Sequence, residues 1–191
     1  MVKLDTYLDK FTNVNGTLYF TADDGGHGYE LWKSDGTSTG TVMVKDIYPG
    51  FILAASDPRS LTPVNGTLYF VANDGTHGYE LWKSDGTAGG TVMVKDMQVN
   101  PSDPMVGTLI SINNTLMFFT IEPMTFHLKE IWMSDGSAAG TVLGASMPAD
   151  EILDTYTELD GKLLYSTIKT TDNTLRVYLY DGTTNTVLVS P

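Results

Sequence analysis

Short runs of alternating apolar and polar residues cover most of this chain, and each ends at a turn of Gly, Asn or Asp. In residues 17–22 (Thr-Leu-Tyr-Phe-Thr-Ala), Leu18 and Phe20 fall on one face of a strand and Tyr19 on the other, because side chains alternate. Asn15-Gly16 marks a two-residue hairpin turn, in which both central residues need positive φ. It joins residues 11–14 to that strand. A glycine-rich loop follows at 23–28, a third strand at 29–34, a turn at 35–40 and a fourth strand at 41–45. Apolar spacing of three and four residues is nowhere sustained over a helical length, and 150–156, the nearest case, is too short. The pattern predicts an all-β chain.

The pattern is also copied. Residues 12–46 return as 62–96 with only Asn13, Thr21, Asp23, Gly26, Ser38 and Thr39 replaced. The stretch 29–37 (Tyr-Glu-Leu-Trp-Lys-Ser-Asp-Gly-Thr) is unchanged at 79–87. It returns altered at 129–137 (Lys-Glu-Ile-Trp-Met-Ser-Asp-Gly-Ser) and more distantly at 175–183 (Leu-Arg-Val-Tyr-Leu-Tyr-Asp-Gly-Thr). Four-stranded units recurring at this period predict β-propeller blades. One such sheet has two apolar faces, and stacking each sheet on the next covers both. The expected fold is a single repeat domain over 1–191, a β-propeller of four four-stranded antiparallel blades near residues 11–47, 61–97, 109–147 and 157–190. The alternatives are half of an eight-bladed ring formed by two chains, or a section of a longer array. Met1-Val2-Lys3 echoes Met43-Val44-Lys45, and reads as the trace of a preceding blade or as a strand closing the ring.

The block Val-Asn-Gly-Thr-Leu-Tyr-Phe, then Asp-Gly-x-His-Gly-Tyr-Glu-Leu-Trp-Lys-Ser-Asp-Gly-Thr, then Gly-Thr-Val-Met-Val-Lys-Asp resembles the ELWxxDGT repeats. These occur in large surface-associated and secreted proteins of environmental bacteria, cyanobacteria among them. The resemblance covers 11–47 and 61–97 closely, 109–143 moderately and 157–189 loosely. It implies a propeller-like, non-enzymatic, extracellular repeat module. It carries over no functional residues beyond the motif itself.

Charge narrows the partners. The net charge of -12 repels phosphate backbones and anionic membranes, so nucleic acid is disfavoured as a partner. The absence of cysteine excludes a disulfide framework and thiolate metal sites. There is no apolar stretch of membrane-spanning length, so membrane insertion is not expected. The first ten residues hold no signal-peptide run, so a secreted form would be processed or a piece of something longer. The expected setting is extracellular, the cell surface or a virion surface. The expected partner is a protein or a glycan, with a homo-oligomer or a larger assembly also open.

The candidate sites are few. His27, His77 and His127 each stand three residues before Glu30, Glu80 and Glu130. Imidazole and carboxylate together suit a divalent metal such as zinc. Each histidine tying its own loop to a nearby Asp or backbone group is the simpler reading. Asp23, Asp24, Asn73 and Asp74 offer oxygens to calcium, but Asx residues beside Gly are also ordinary turn formers. Asp35-Gly36, Asp85-Gly86, Asp135-Gly136 and Asp181-Gly182 read as structural turns, loosely similar to the aspartate box of sialidase-type propellers. Trp32, Trp82, Trp132 and Tyr178 read as blade-packing residues rather than sugar platforms, since a position kept once per unit serves what every unit shares. No catalytic motif is present: no Ser-His-Asp order, phosphate loop or HExxH helix. A non-enzymatic binding or structural module is expected, with a structural decoration or tail component of a virion or surface layer as the alternative and a polysaccharide-acting propeller enzyme as the second. Function is expected where the copies disagree, in the links near 52–59, 99–106 and 147–155 and the loop 124–128.

Overall fold

The computed structural model describes residues 3–4, 11–50, 54–97, 105–122, 124–125 and 127–189. Within them every regular element is a strand, and the strands form four antiparallel sheets. The first sheet holds β1 (Lys3–Leu4), β2 (Thr12–Val14), β3 (Thr17–Asp23), β4 (Tyr29–Ser34) and β5 (Val42–Lys45). The second holds β6 (Arg59–Val64), β7 (Thr67–Asn73), β8 (Tyr79–Ser84) and β9 (Val92–Lys95). The third holds β10 (Met105–Ile112), β11 (Thr115–Ile121), β12 (Leu128–Ser134) and β13 (Val142–Ser146). The fourth holds β14 (Glu151–Leu159), β15 (Lys162–Lys169), β16 (Leu175–Tyr180) and β17 (Asn185–Val189). No described helix is long and apolar enough to cross a membrane.

The chain divides into two compact units, Met1–Pro101 and Ser102–Pro191, with two sheets in each. The sequence pattern alone suggests one domain.

Local chemistry sets the hairpins. Asn15 and Gly16 take φ of 50° and 86°, Asn65 and Gly66 48° and 77°, and Asp160 and Gly161 49° and 73°. These are the positive values that a type I′ turn requires. The third copy makes the same turn from Asn113 and Asn114, at 48° and 59°, without glycine. Asn tolerates this region because its short side chain can bond locally.

Between the third and fourth strands every sheet carries a bulge at one place, opposite Leu31/Trp32, Leu81/Trp82, Ile131/Trp132 and Val177/Tyr178. A bulge adds twist and re-aims side chains. It lets Val44 and Val94 bury while Met43 and Met93 stay opposite the tryptophans.

β1 differs from its sequence reading. Lys3 pairs with Asp23 and Leu4 with Ala22, on the edge of β3 whose other end pairs with β2. Lys3 therefore extends the first-strand edge of its own sheet, and does not occupy the last-strand place that its echo of Lys45 suggests. The physical reason is that β2 is short and leaves the backbone groups of Ala22 and Asp23 to be paired. Met1 and Val2 lie outside the described residues.

The two faces of each sheet have distinct roles. Tyr19, Leu31 and Val44 lie on one face of the first sheet, here the outer face. They pack with Leu68, Phe70 and Trp82 of the second sheet, an aromatic row on the opposite face type. The same arrangement recurs in the second unit, where Met117, Phe119 and Ile131 pack with Leu163, Tyr165, Tyr178 and Tyr180. Ring pairs run along each row: Phe70 on Trp82 at 6.5 Å, Phe118 on Trp132 at 6.3 Å and Tyr165 on Tyr178 at 5.0 Å. Each fully buried side chain of this size contributes about 1.5–3 kcal/mol.

Polar groups also join the first two sheets. Lys33 Nζ donates to Gly86 O at 2.8 Å, and Lys45 Nζ donates to Thr91 O at 2.8 Å. Lys45 also stands 5.7 Å from the Trp82 ring, within cation–π range. In the second unit Met133 takes the Lys33 position, and the Tyr180 hydroxyl lies 3.7 Å from its sulfur.

The Asp-Gly turns are polar staples. Asp35 Oδ1 accepts from Thr37 N at 2.9 Å and Thr37 Oγ1 at 2.7 Å. Gly40 N donates to Thr37 Oγ1 at 2.9 Å, and Thr41 Oγ1 lies 2.7 Å from both Thr37 O and Ser34 Oγ. Residues 84–91 and 134–141 repeat this network bond for bond. A Cβ built on Gly40, Gly90 or Gly140 would collide with the carboxylate of Asp35, Asp85 or Asp135. Gly90→Ala is therefore expected to lower stability by about 1–3 kcal/mol, the usual cost of overpacking. In an Asp85→Ala background the same change should cost much less, and equal costs by thermal unfolding would show that the carboxylate is not the obstacle.

Candidate functional site: histidine loops and buried carboxylates

The loops between second and third strands begin with Asx turns. Asp23 Oδ1 accepts from Gly25 N at 2.7 Å, and Asn73 Oδ1 accepts from Gly75 N at 2.7 Å. Asp24 Oδ1 accepts from Gly26 N and His27 N, at 2.9 and 3.1 Å, while its Oδ2 lies 2.9 Å from His27 Nδ1. Asp74 repeats this with Thr76 N, His77 N and His77 Nδ1, the last at 2.7 Å. The oxygens considered for calcium thus hold the loop's own amides. His127 holds its loop through the main chain, accepting from Glu122 N at 2.9 Å and donating from its amide to Thr125 Oγ1 at 3.4 Å.

These pairs titrate. The hydrogen bond to Asp24 first, and its charge second, hold the His27 imidazole above the ordinary histidine range, and Asp74 does the same for His77. A histidine raised on folding stabilises fully below its unfolded value, and that contribution is lost as pH rises through the folded value. Thermal stability is expected to fall as pH rises from below the ordinary histidine value through the raised values of His27 and His77, with a shallower fall in the His27→Gln/His77→Gln double variant. Identical slopes would show that the pairs do not form in solution.

The glutamates face elsewhere. Glu30 and Glu80 are wholly buried. The Glu30 carboxylate accepts from Ser56 Oγ at 2.6 Å, Ile47 N at 3.0 Å, Ser56 N at 3.2 Å and Tyr48 N at 3.4 Å. Burial pushes its carboxyl up, against the pull of those donors. Glu30 therefore ties the chain leaving the first sheet to the segment entering the second. Around it Asp57 N donates to Tyr29 O, Asn73 N to Ser56 O and Thr21 Oγ1 to Pro58 O. Glu80 begins the same pattern, accepting from Met97 N at 2.8 Å, and residues 98–104 lie outside the described residues.

The later copies change the solution. Glu130 accepts from Thr120 Oγ1 at 3.0 Å and Trp132 Nε1 at 2.9 Å. In the first two sheets Ala22 and Ala72 replace that threonine and Glu30 turns to the link, so Trp32 Nε1 and Trp82 Nε1 are buried with no partner among the described residues. In the fourth sheet Arg176 occupies the glutamate position. The carboxylate comes instead from buried Glu151 of β14, which accepts from Arg176, from Thr167 Oγ1 and from Tyr178 OH at 2.8 Å. Lys129 Nζ closes that link by donating to Ala149 O and Glu151 O, at 3.0 and 3.2 Å.

Each predicted residue now has a place. Asp35, Asp85, Asp135 and Asp181 accept turn donors beside Gly36, Gly86, Gly136 and Gly182, all at positive φ. Trp32, Trp82 and Tyr178 are buried and Trp132 half-buried, each across a strand pair from an aromatic ring. The histidines and glutamates do not converge: among the described residues no three His, Asp or Glu side chains stand together as metal ligands. Sequence reasoning missed Ser56, Glu151, Lys33, Lys45 and Thr41. A glutamate flanked by apolar residues inside a strand was the available signal, since a carboxylate buried there needs donors.

The links at 54–59 and 147–151 are thus held at fixed points, the first by the buried Glu30 carboxylate and the second by Lys129 Nζ on the carbonyls of Ala149 and Glu151. Compared with known proteins, the chain matches no family model and no curated protein sequence.

Proposed function

We propose that this chain is a non-enzymatic β-propeller module that binds a protein or glycan partner outside the cell, on a cell surface or on a particle surface. The observation that carries the reading is the division of labour within the repeat. Every residue of the copied Glu-Leu-Trp-Lys-Ser-Asp-Gly-Thr stretch in the first sheet has a packing, link or turn role, through Glu30, Leu31, Trp32, Lys33, Ser34, Asp35, Gly36 and Thr37. The stacking of one sheet's outer face on the next sheet's aromatic row, seen in both units, is the packing that propeller blades use. Such a scaffold leaves recognition to the loops and links that differ between copies.

The test is binding to an array of extracellular polysaccharide fragments and surface proteins. Loss of binding is expected on changing exposed link and loop residues such as Met124 and Ala149, with no change from substitutions at the exposed turn residues Ser38 and Thr39. Turnover of a bound polysaccharide would overturn the non-enzymatic reading. Equal losses from both groups would overturn the assignment of the face.

A further inference from the structure

The geometry points to a buried water-binding site beside each of the first two tryptophans. One water accepts from Trp32 Nε1 and donates to Asp46 Oδ1, and a second does the same for Trp82 Nε1 and Asp96 Oδ1. The inference concerns each sheet by itself and stands apart from the propeller reading.

Four buried atoms carry it. Trp32 Nε1, Asp46 Oδ1, Trp82 Nε1 and Asp96 Oδ1 are shut off from solvent, with no hydrogen-bond partner among the described residues. Trp32 and Trp82 are only 7% and 6% exposed, so neither indole reaches bulk water without leaving its aromatic row. Folded proteins rarely keep such groups unpaired, because a buried donor or acceptor without a partner has lost its hydration for nothing. Here the same donor and the same acceptor recur together in two copies.

The register brings each pair to one place. Leu31 pairs with Lys45, so Asp46 comes next, opposite Glu30. The third sheet makes that step explicitly, with Glu130 opposite Ser146. Glu30 and Trp32 are two residues apart on one strand and share a face, and a cross-strand partner shares it too. Asp46 therefore flanks Glu30 on the face that carries Trp32. The third sheet also shows where the indole reaches, since Trp132 Nε1 donates to Glu130 Oε2 at 2.9 Å. In the first sheet the glutamate at that position is turned to the link, onto Ile47 N, Ser56 N and Ser56 Oγ. The indole is left facing the aspartate's side of the strand pair.

A neighbouring substitution makes the room. Ala22 pairs with Glu30 and Ala72 with Glu80, where the third sheet pairs Thr120 with Glu130. Thr120 Oγ1 donates to Glu130 Oε2 at 3.0 Å, so a hydroxyl fits at this place. Alanine there gives up a hydroxyl and a methyl group. The occupant has to accept from an N–H and donate to a carboxylate. The indole hydrogen repels a cation, and the aspartate repels an anion. Water meets both demands and is of the size given up.

The test is a high-resolution crystal structure of the full chain, joined to oxygen-17 relaxation dispersion, which counts long-lived internal waters. Density for a water within hydrogen-bond distance of Trp32 Nε1 and Asp46 Oδ1 is expected, and again at Trp82 and Asp96. Ala72→Thr refills the second site as the third sheet does. It is expected to lower the count by one and to remove the water at Trp82 while the one at Trp32 stays. Ala22→Thr is the reciprocal variant, and supplies the same reading should Ala72→Thr fail to fold. Density missing from either wild-type site overturns the inference. So does a direct bond from either indole to a protein group, or a count that the threonine leaves unchanged.

Discussion

Trp82→Ala is expected to destabilise the first unit by about 3–5 kcal/mol, the range for truncating a large buried aromatic. Trp82 is 6% exposed and stacks on Phe70 in the row that meets Tyr19, Leu31 and Val44 of the first sheet. Its loss removes ring packing, leaves a cavity between two sheets and takes away the surface beneath the Lys45 ammonium. The cost is not offset by a hydrogen bond, since Trp82 Nε1 has no partner to lose among the described residues. Denaturant unfolding measures it. A cost below about 1 kcal/mol would mean that the ring is exposed in solution, and would revive the sugar-platform role.

Glu30→Gln is expected to cost about 2–4 kcal/mol, because buried donors at Ile47 and Ser56 lose acceptors at about 1–3 kcal/mol each. An amide offers one acceptor oxygen and turns an N–H toward the remaining donors. Hydrogen exchange should show the Ile47 and Ser56 amides opening first, before the strands. Glu130→Gln is the control. Its partners are the Thr120 hydroxyl and the Trp132 indole, side-chain groups in place of buried link amides, so a loss of about 1 kcal/mol is expected. Equal effects at the two positions would deny Glu30 its special role in the link.

The contrast between these two glutamates marks how far the chain could be read unaided. Their shared motif position suggests one role for both. What separates them is the chain that passes nearby. Ser56 reaches Glu30 from 26 residues away, and the fourth copy moves its carboxylate to Glu151, 25 residues from Arg176. Such pairings are long-range and carry no local signature. The turns behave oppositely. Asp35, Thr37, Gly40 and Thr41 meet within one turn, so the turn role of Asp35 is legible from the residues beside it.

By itself the sequence determined the strands, the type I′ hairpins, the polar turns and the assignment of Leu18 and Phe20 to one face and Tyr19 to the other. These depend on backbone torsions and on two-residue alternation, which are local. It also determined that sheets come in copies, because the pattern is copied. Only the tertiary structure decided which face meets which, why Glu30 and Glu130 differ, and that Lys33 and Lys45 hold the next sheet. It also decided that Lys3 and Leu4 complete the first sheet's edge, and that Val177 and Leu188 stay open where their counterparts are covered. Each of these is set by the neighbour a residue acquires when distant segments pack, and alternation along a single strand contains no record of that neighbour.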